Sequence, residues 1–159
     1  MHQGEEDHLV KPQAGKITYT LDSSIESVDR LEQTAEEVAR KAGMDEDEIF
    51  RISMAVREAA VNAVLHGNCY SPEKRIFASF EATSEDLVIQ IADQGKGLNP
   101  DTLPDPLSPE NLLRGSGRGI FLIRSFMDEV EFRQLHPGTE LILIKHLKTT
   151  PTGISRTGT

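Results

Sequence analysis

The chain has one cysteine, Cys69, so no internal disulfide framework exists to hold its fold. A lone thiol fits a reducing cytoplasm. Basic residues are also scarce: 17 against 26 acidic ones leave a formal net charge of -9, which repels polyanions. Direct nucleic-acid binding and adhesion to an acidic membrane are therefore not expected. No apolar run approaches the length of a membrane span, and the start "MHQGEEDHLV" lacks the basic-then-apolar order of a secretory signal. These absences describe a soluble cytoplasmic protein. Two motifs are missing as well: His-Glu-x-x-His, which would suggest zinc, and Gly-x-x-x-x-Gly-Lys-Ser/Thr, which would suggest a P-loop. Aromatic residues make up only 5%, yet 37% of the 159 residues are hydrophobic, enough for the core of one ordinary domain.

Composition divides the chain into a polar tail at 1–15, a domain at 16–147 and a small, polar tail at 148–159. Within the domain, "KITYTL" alternates as a strand does. A helix follows, with Ile25, Val28, Leu31, Ala35 and Val38 at helical spacing, Ser24 as its cap and Gly43 as its stop. "MDEDEIFRISMAVREAAVNAVLHGN" reads as a second helix, opened by acidic residues that suit the positive end of the helix dipole. Two strands, "RIFASFEAT" and "DLVIQIAD", form a hairpin around Ser84 and Glu85. From Gln94 to Gly119 runs a loop with five glycines and four prolines, too long and too punctuated for a routine connection. "IFLIRSFMDEV" resumes as a helix, and "VEFRQL" and "TELILIKHL" close the domain as a hairpin around "HPG". This order predicts an α+β two-layer sandwich, a mixed or antiparallel sheet with helices on one face.

Three constellations carry candidate chemistry. In "REAAVNAVLHGN", Glu58, Asn62 and His66 recur every four residues and form one polar stripe on a helix whose other side is Val56, Ala59, Ala60, Ala63 and Val64. A carboxylate can take a proton and an amide oxygen one turn on can ligate Mg²⁺, although the same pair also occurs as a plain solvated helix edge. In "IADQGKGLNP" an apolar strand delivers Asp93, then Gly95 and Gly97. Such an aspartate can accept from an exocyclic amine while glycines admit a flat ring, and a simple turn would look alike. In "RGSGRGIFLI", Gly115, Gly117 and Gly119 lead into a helix whose free N–H groups suit an anion, with Arg114 and Arg118 alongside. It is no Rossmann fingerprint, because Ile120 stands where the third glycine would be.

Together and in this order the three resemble the N, G1 and G2 boxes of the GHKL ATP-binding superfamily. "REAAVNAVLHGN" with "FLIRSFMDEV" is most similar to its anti-sigma-factor serine/threonine kinases, and the resemblance covers residues 16 to 147. It implies a Bergerat-type ATP-binding fold with ATP and Mg²⁺ as cofactors. By position, the resemblance makes Glu58 the general base and Asn62 the Mg²⁺ ligand, with Asp93 recognising the adenine amine. It makes Gly95 and Gly97 the G1 glycines, Thr139 a support for adenine, residues 98–114 the ATP lid, and Gly117 and Gly119 the phosphate-binding glycines. Arg118 is favoured over Arg114 and Lys96 as the basic group at the γ phosphate.

The implied function is ATP- and Mg²⁺-dependent phosphorylation of a serine or threonine on a STAS-type anti-sigma-factor antagonist, by a homodimer that also binds a sigma factor. The alternative is an ATP-responsive anti-sigma module that binds partners without kinase activity. A histidine-kinase reading is disfavoured, since the chain has no room for the two-helix phosphoacceptor dimer. The sequence departs from related kinases at Asn68, where an aromatic residue is common, a change expected not to touch the chemistry directly.

Overall fold

The computed structural model describes residues 9–13, 15–96 and 119–147. Its strands are β1 (Leu9–Gln13), β2 (Lys16–Asp22), β3 (Arg75–Ala82), β4 (Asp86–Ala92), β5 (Glu129–Gln134) and β6 (Thr139–His146). They form one sheet in the order β1-β2-β3-β4-β6-β5, and every neighbouring pair is antiparallel. The helices are α1 (Ile25–Lys41), α2 (Glu46–Val61) and α3 (Gly119–Phe126), with a π-helical segment at Asn62–Gly67 running on from α2. Of the two sheet types left open by the sequence, the antiparallel one is present, and the helices lie on one side of it.

The strand alternation explains that layering. Ile76, Ala78 and Phe80 of β3 are buried, and Ala78 and Phe80 pair with the buried Ile91 and Ile89 of β4. These two in turn pair with Leu141 and Leu143 of β6, so one continuous apolar face crosses the sheet. The helices answer with stripes: Val28, Leu31, Ala35 and Ala39 of α1, and Ile49, Ile52, Val56 and Ala59 of α2, all belong to the same core. Small alanines let α2 pack closely between its neighbours. Tyr19 of β2 adds a polar link, its hydroxyl lying 2.7 Å from Thr34 Oγ1 of α1 inside the core.

Local signals set the helix ends. Ser24 caps α1 by accepting from Ser27 N–H, and Gly43, at φ +88°, turns the chain out of it. Asp45 caps α2, accepting from Glu48 N–H at 2.9 Å. An ion pair then fastens the two helices together: one Arg57 nitrogen lies 3.0 Å from Asp29 and 2.8 Å from Glu32. Donating to Asp29, and next to Glu32, holds the guanidinium pKa above its ordinary value.

Three local expectations need correction. Leu9–Gln13, placed in the tail by composition, is an edge strand paired with β2. The helix of "IFLIRSFMDEV" ends at Phe126, because Asp128 N–H turns to Ile144 C=O of β6 and the next residue opens β5. The stripe of Glu58, Asn62 and His66 is not a single α-helical face. α geometry carries it from Glu58 only to Asn62, and the wider π turns that follow rotate His66 away from that line.

Candidate functional site

α2 sets the first part of the site. Val56, Ala59 and Ala60, with Ala63 and Val64 just beyond, are all buried, which fixes the rotation of the helix and turns Glu58 and Asn62 toward its half-exposed side. Asn62 N–H bonds to the carbonyls of both Glu58 and Ala59, marking where α2 passes into the π segment. Among the described residues no group of three or more histidine, cysteine, aspartate or glutamate side chains is gathered for a metal.

The second part is Asp93, just past the end of β4. Its Oδ1 accepts from Gly95 N–H at 2.9 Å and Thr139 N–H at 3.2 Å, while its own N–H donates to Thr139 C=O. Oδ2 accepts no hydrogen bond among the described residues and faces Gly67. Only 7% of the residue is exposed. Burial, the largest influence, raises the carboxyl pKa; the Gly95 and Thr139 amides and the positive charge of Lys74 pull it partly back. Asp93 is thus a desolvated acceptor with one oxygen fixed and the other unbonded among the described residues.

Glycines make this possible. A Cβ on Gly67 would overlap the Asp93 carboxylate, one on Gly95 would overlap the Gly67 carbonyl, and one on Gly138 would overlap the Asp93 carbonyl. Gly138 also sits at φ +105°, a conformation that side chains oppose. The chain therefore brings three backbone segments against one carboxylate. Gly67 and Gly138 were not among the residues singled out from sequence, although "HGN" and "HPGT" displayed both. What could have marked them is a glycine at a helix end and another beside Thr139, with no turn chemistry of their own to explain the first.

The structure brings Asp93, Gly95 and Thr139 into direct contact and places Glu58 and Asn62 on the helix leading into Gly67. Gly119 is buried as the first residue of α3, and Lys96 is exposed. Gly97, Gly117, Arg118, Arg114 and the expected lid at 98–114 lie outside the described residues. No helix among the described residues is long and apolar enough to cross a membrane.

Comparison with known proteins follows the same outline. Residues 21–145 match the family model of the histidine kinase-like ATPase domain. The chain belongs to this family, in its anti-sigma-factor kinase branch. It is 34% identical over 139 residues to the serine-protein kinase RsbW of Staphylococcus epidermidis, covering 83% of this chain and 87% of that one. The anti-sigma F factor of Anoxybacillus flavithermus is 36% identical over 106 residues, 64% of this chain and 71% of the relative. Among solved structures, the RsbU and RsbW domains of a Mycobacterium tuberculosis protein superpose with a TM-score of 0.60 at 18% identity, over 83% of this chain and 32% of that one. The nucleotide-free catalytic domain of the histidine kinase ThkA gives 0.52 at 14% identity, over 82% and 97%. At such identities the two structures speak for the fold alone.

Proposed function

We propose that this histidine kinase-like ATPase domain is a serine/threonine protein kinase and anti-sigma factor. It transfers the γ phosphate of ATP to a serine or threonine of a STAS-type antagonist and also binds a sigma factor, acting as a homodimer. The observation that carries the reading is Asp93: a buried carboxylate with one oxygen held by two backbone amides and the other beside Gly67, accepting no hydrogen bond among the described residues. An exocyclic amine is the donor that such an acceptor suits, and the glycines let three backbone segments close around it. The names of the relatives, serine-protein kinase and anti-sigma factor, support the same reading.

The roles follow from position. Glu58, half-buried on α2, takes the proton of the attacking hydroxyl as its oxygen bonds to the γ phosphorus and the bond to ADP breaks. Asn62, one turn on, offers an amide oxygen. No group of three or more carboxylates, histidines or cysteines gathers among the described residues, and a single amide oxygen would suit a Mg²⁺ held chiefly by phosphate and water. Bound there, the cation would offset phosphate charge. Thr139 N–H and Gly95 N–H orient Asp93 toward the base. Gly97, Gly117, Gly119 and Arg118 are assigned to the phosphates.

Titration calorimetry with Mg²⁺ and ATP tests the site, comparing wild type with Asp93→Asn and Asn62→Ala. Binding is expected in wild type and should weaken in both variants. Folded wild-type protein that binds no ATP would end the nucleotide reading. For the reaction, labelled γ phosphate should appear on the antagonist and be lost in Glu58→Gln with ATP binding kept. ATP that alters partner affinity without labelling the partner would instead leave the non-catalytic module.

A further inference from the structure

Asn68 follows the π segment and is wholly buried. Its amide NH₂ donates to Ser23 Oγ at 2.7 Å and to Arg75 C=O at 2.9 Å, while its Oδ1 accepts from Gln94 N–H at 2.7 Å. Ser23 precedes α1 and donates in turn to Lys74 C=O; Arg75 opens β3; Gln94 is the residue after Asp93. The Gln94 side chain closes the ring by accepting from Arg75 N–H at 2.7 Å. Every polar atom of Asn68 is thereby used, and all three partners belong to segments remote from it in sequence or turned away from it by a bend.

The backbone beside it is held against preference. Cys69 and Tyr70 both lie in the left-handed region, at φ 54° and 58°, which disfavours residues with a Cβ. Tyr70 N–H reaches back to Val64 C=O and Asn68 N–H to Ala63 C=O, so this tight reversal leads the chain directly out of the π segment. Strain of this kind persists where surrounding bonds over-determine it. Here those bonds converge on the turn that carries Asp93.

We propose that Asn68 is a positioning residue for nucleobase recognition: through the Gln94 amide it fixes the turn that carries Asp93 and sets Oδ2 beside Gly67. It sets selectivity for a base bearing an exocyclic amine without touching the base. The inference rests on reading the Asp93 cradle as the adenine site. It keeps the expectation that Asn68 does not touch the chemistry directly and gives that residue an indirect part in it.

The test is binding of ATP and of ITP, whose base lacks the amine, measured by calorimetry on the full chain. Wild type should prefer ATP, and Asp93→Asn should erase the preference. Asn68→Ala should reduce it by about fivefold or more, the scale of one lost buried hydrogen bond, with ITP affinity little changed. A residue that merely stabilised the fold would weaken both ligands alike. Because Asn68→Ala removes three side-chain hydrogen bonds and can fail to fold, Gln94→Ala provides the second arm. It frees the same turn from Arg75 by cutting a side chain at the surface edge, and should lower the preference in the same sense. An unchanged ATP-to-ITP ratio in the folded variants overturns the role of Asn68 while leaving the site intact. No preference in wild type, or none lost in Asp93→Asn, overturns the adenine reading and this inference with it.

Discussion

β4 carries an aspartate at each end, and the two live in opposite surroundings. Asp93 is buried, and its neighbours are backbone amides and glycines. Asp86, at the start of the strand, is held at the surface by His146 of β6: Asp86 Oδ1 lies 2.7 Å from His146 Nδ1, and Glu129 lies 3.4 Å from the other ring nitrogen. The two lie along one ladder: Asp86 pairs with His146 between β4 and β6, whose other end leads to Asp93 and Thr139. One carboxylate is desolvated, so its charge is costly. The other is solvated, so its charge is cheap and its contacts do little more than pin the strand ends. The difference teaches that at one end of this strand burial and backbone amides set the carboxylate, and at the other an exposed ion pair does.

Breaking the glycine cradle should have the largest effect. Gly138→Ala forces a side chain into a left-handed turn against the Asp93 carbonyl, and is expected to cost about 2–4 kcal/mol in denaturant unfolding and to abolish ATP binding. Wild-type stability would show that the turn can reshape itself.

Asp93→Asn separates charge from shape. The carboxyl pKa is raised by burial, so ionised Asp93 opposes folding at pH well above 3.8, and this opposition vanishes as pH falls below that value. The variant should therefore match or exceed wild-type melting temperature at neutral pH, yet bind ATP about ten- to a hundredfold more weakly, since an amide NH₂ would meet the adenine amine. Loss of stability instead would mean that the carboxylate serves the fold.

The smallest effect belongs to the exposed end. Hydrogen bonding to Asp86 raises the His146 pKa, so the stabilising charge is complete below the ordinary value of 6.5 and is lost as pH rises through the higher folded value. Wild type should hold a small melting-temperature advantage over His146→Gln at low pH that fades on the alkaline side, with ATP affinity the same in both. A change in ATP affinity would join the two ends that the comparison separates.

Much of the fold was legible in the sequence because it depends on short-range patterns. Alternation in "RIFASFEAT" and "DLVIQIAD", the Ser24 cap and the Gly43 stop each act within a few residues, and the structure shows each of them. The end of α3 was misplaced because the competitor was distant: Asp128 N–H is taken by Ile144. The site divides in the same way. Glu58, Asn62 and Asp93 stood out through spacing and the family pattern, whereas Gly67, Gly138 and Asn68 owe their places to contacts between segments far apart in the chain. No local pattern records that a glycine at the end of one helix is needed as the floor beneath a carboxylate at the end of a strand. Nor does it record the π segment, whose wider turn moves Gly67 and Asn68 relative to the Glu58 face.

The convergence on Asp93 also has a consequence for how the protein is made. Its Oδ1 partners are Gly95, two residues away, and Thr139, near the far end of the domain, and Gly138 must be packed on its carbonyl. During synthesis the helices and the β3–β4 hairpin precede these last contacts, so a nascent chain short of residue 138 lacks one wall of the pocket. If Asp93 holds the base, truncations ending before Gly138, which also lack β6 (Thr139–His146), should bind no ATP.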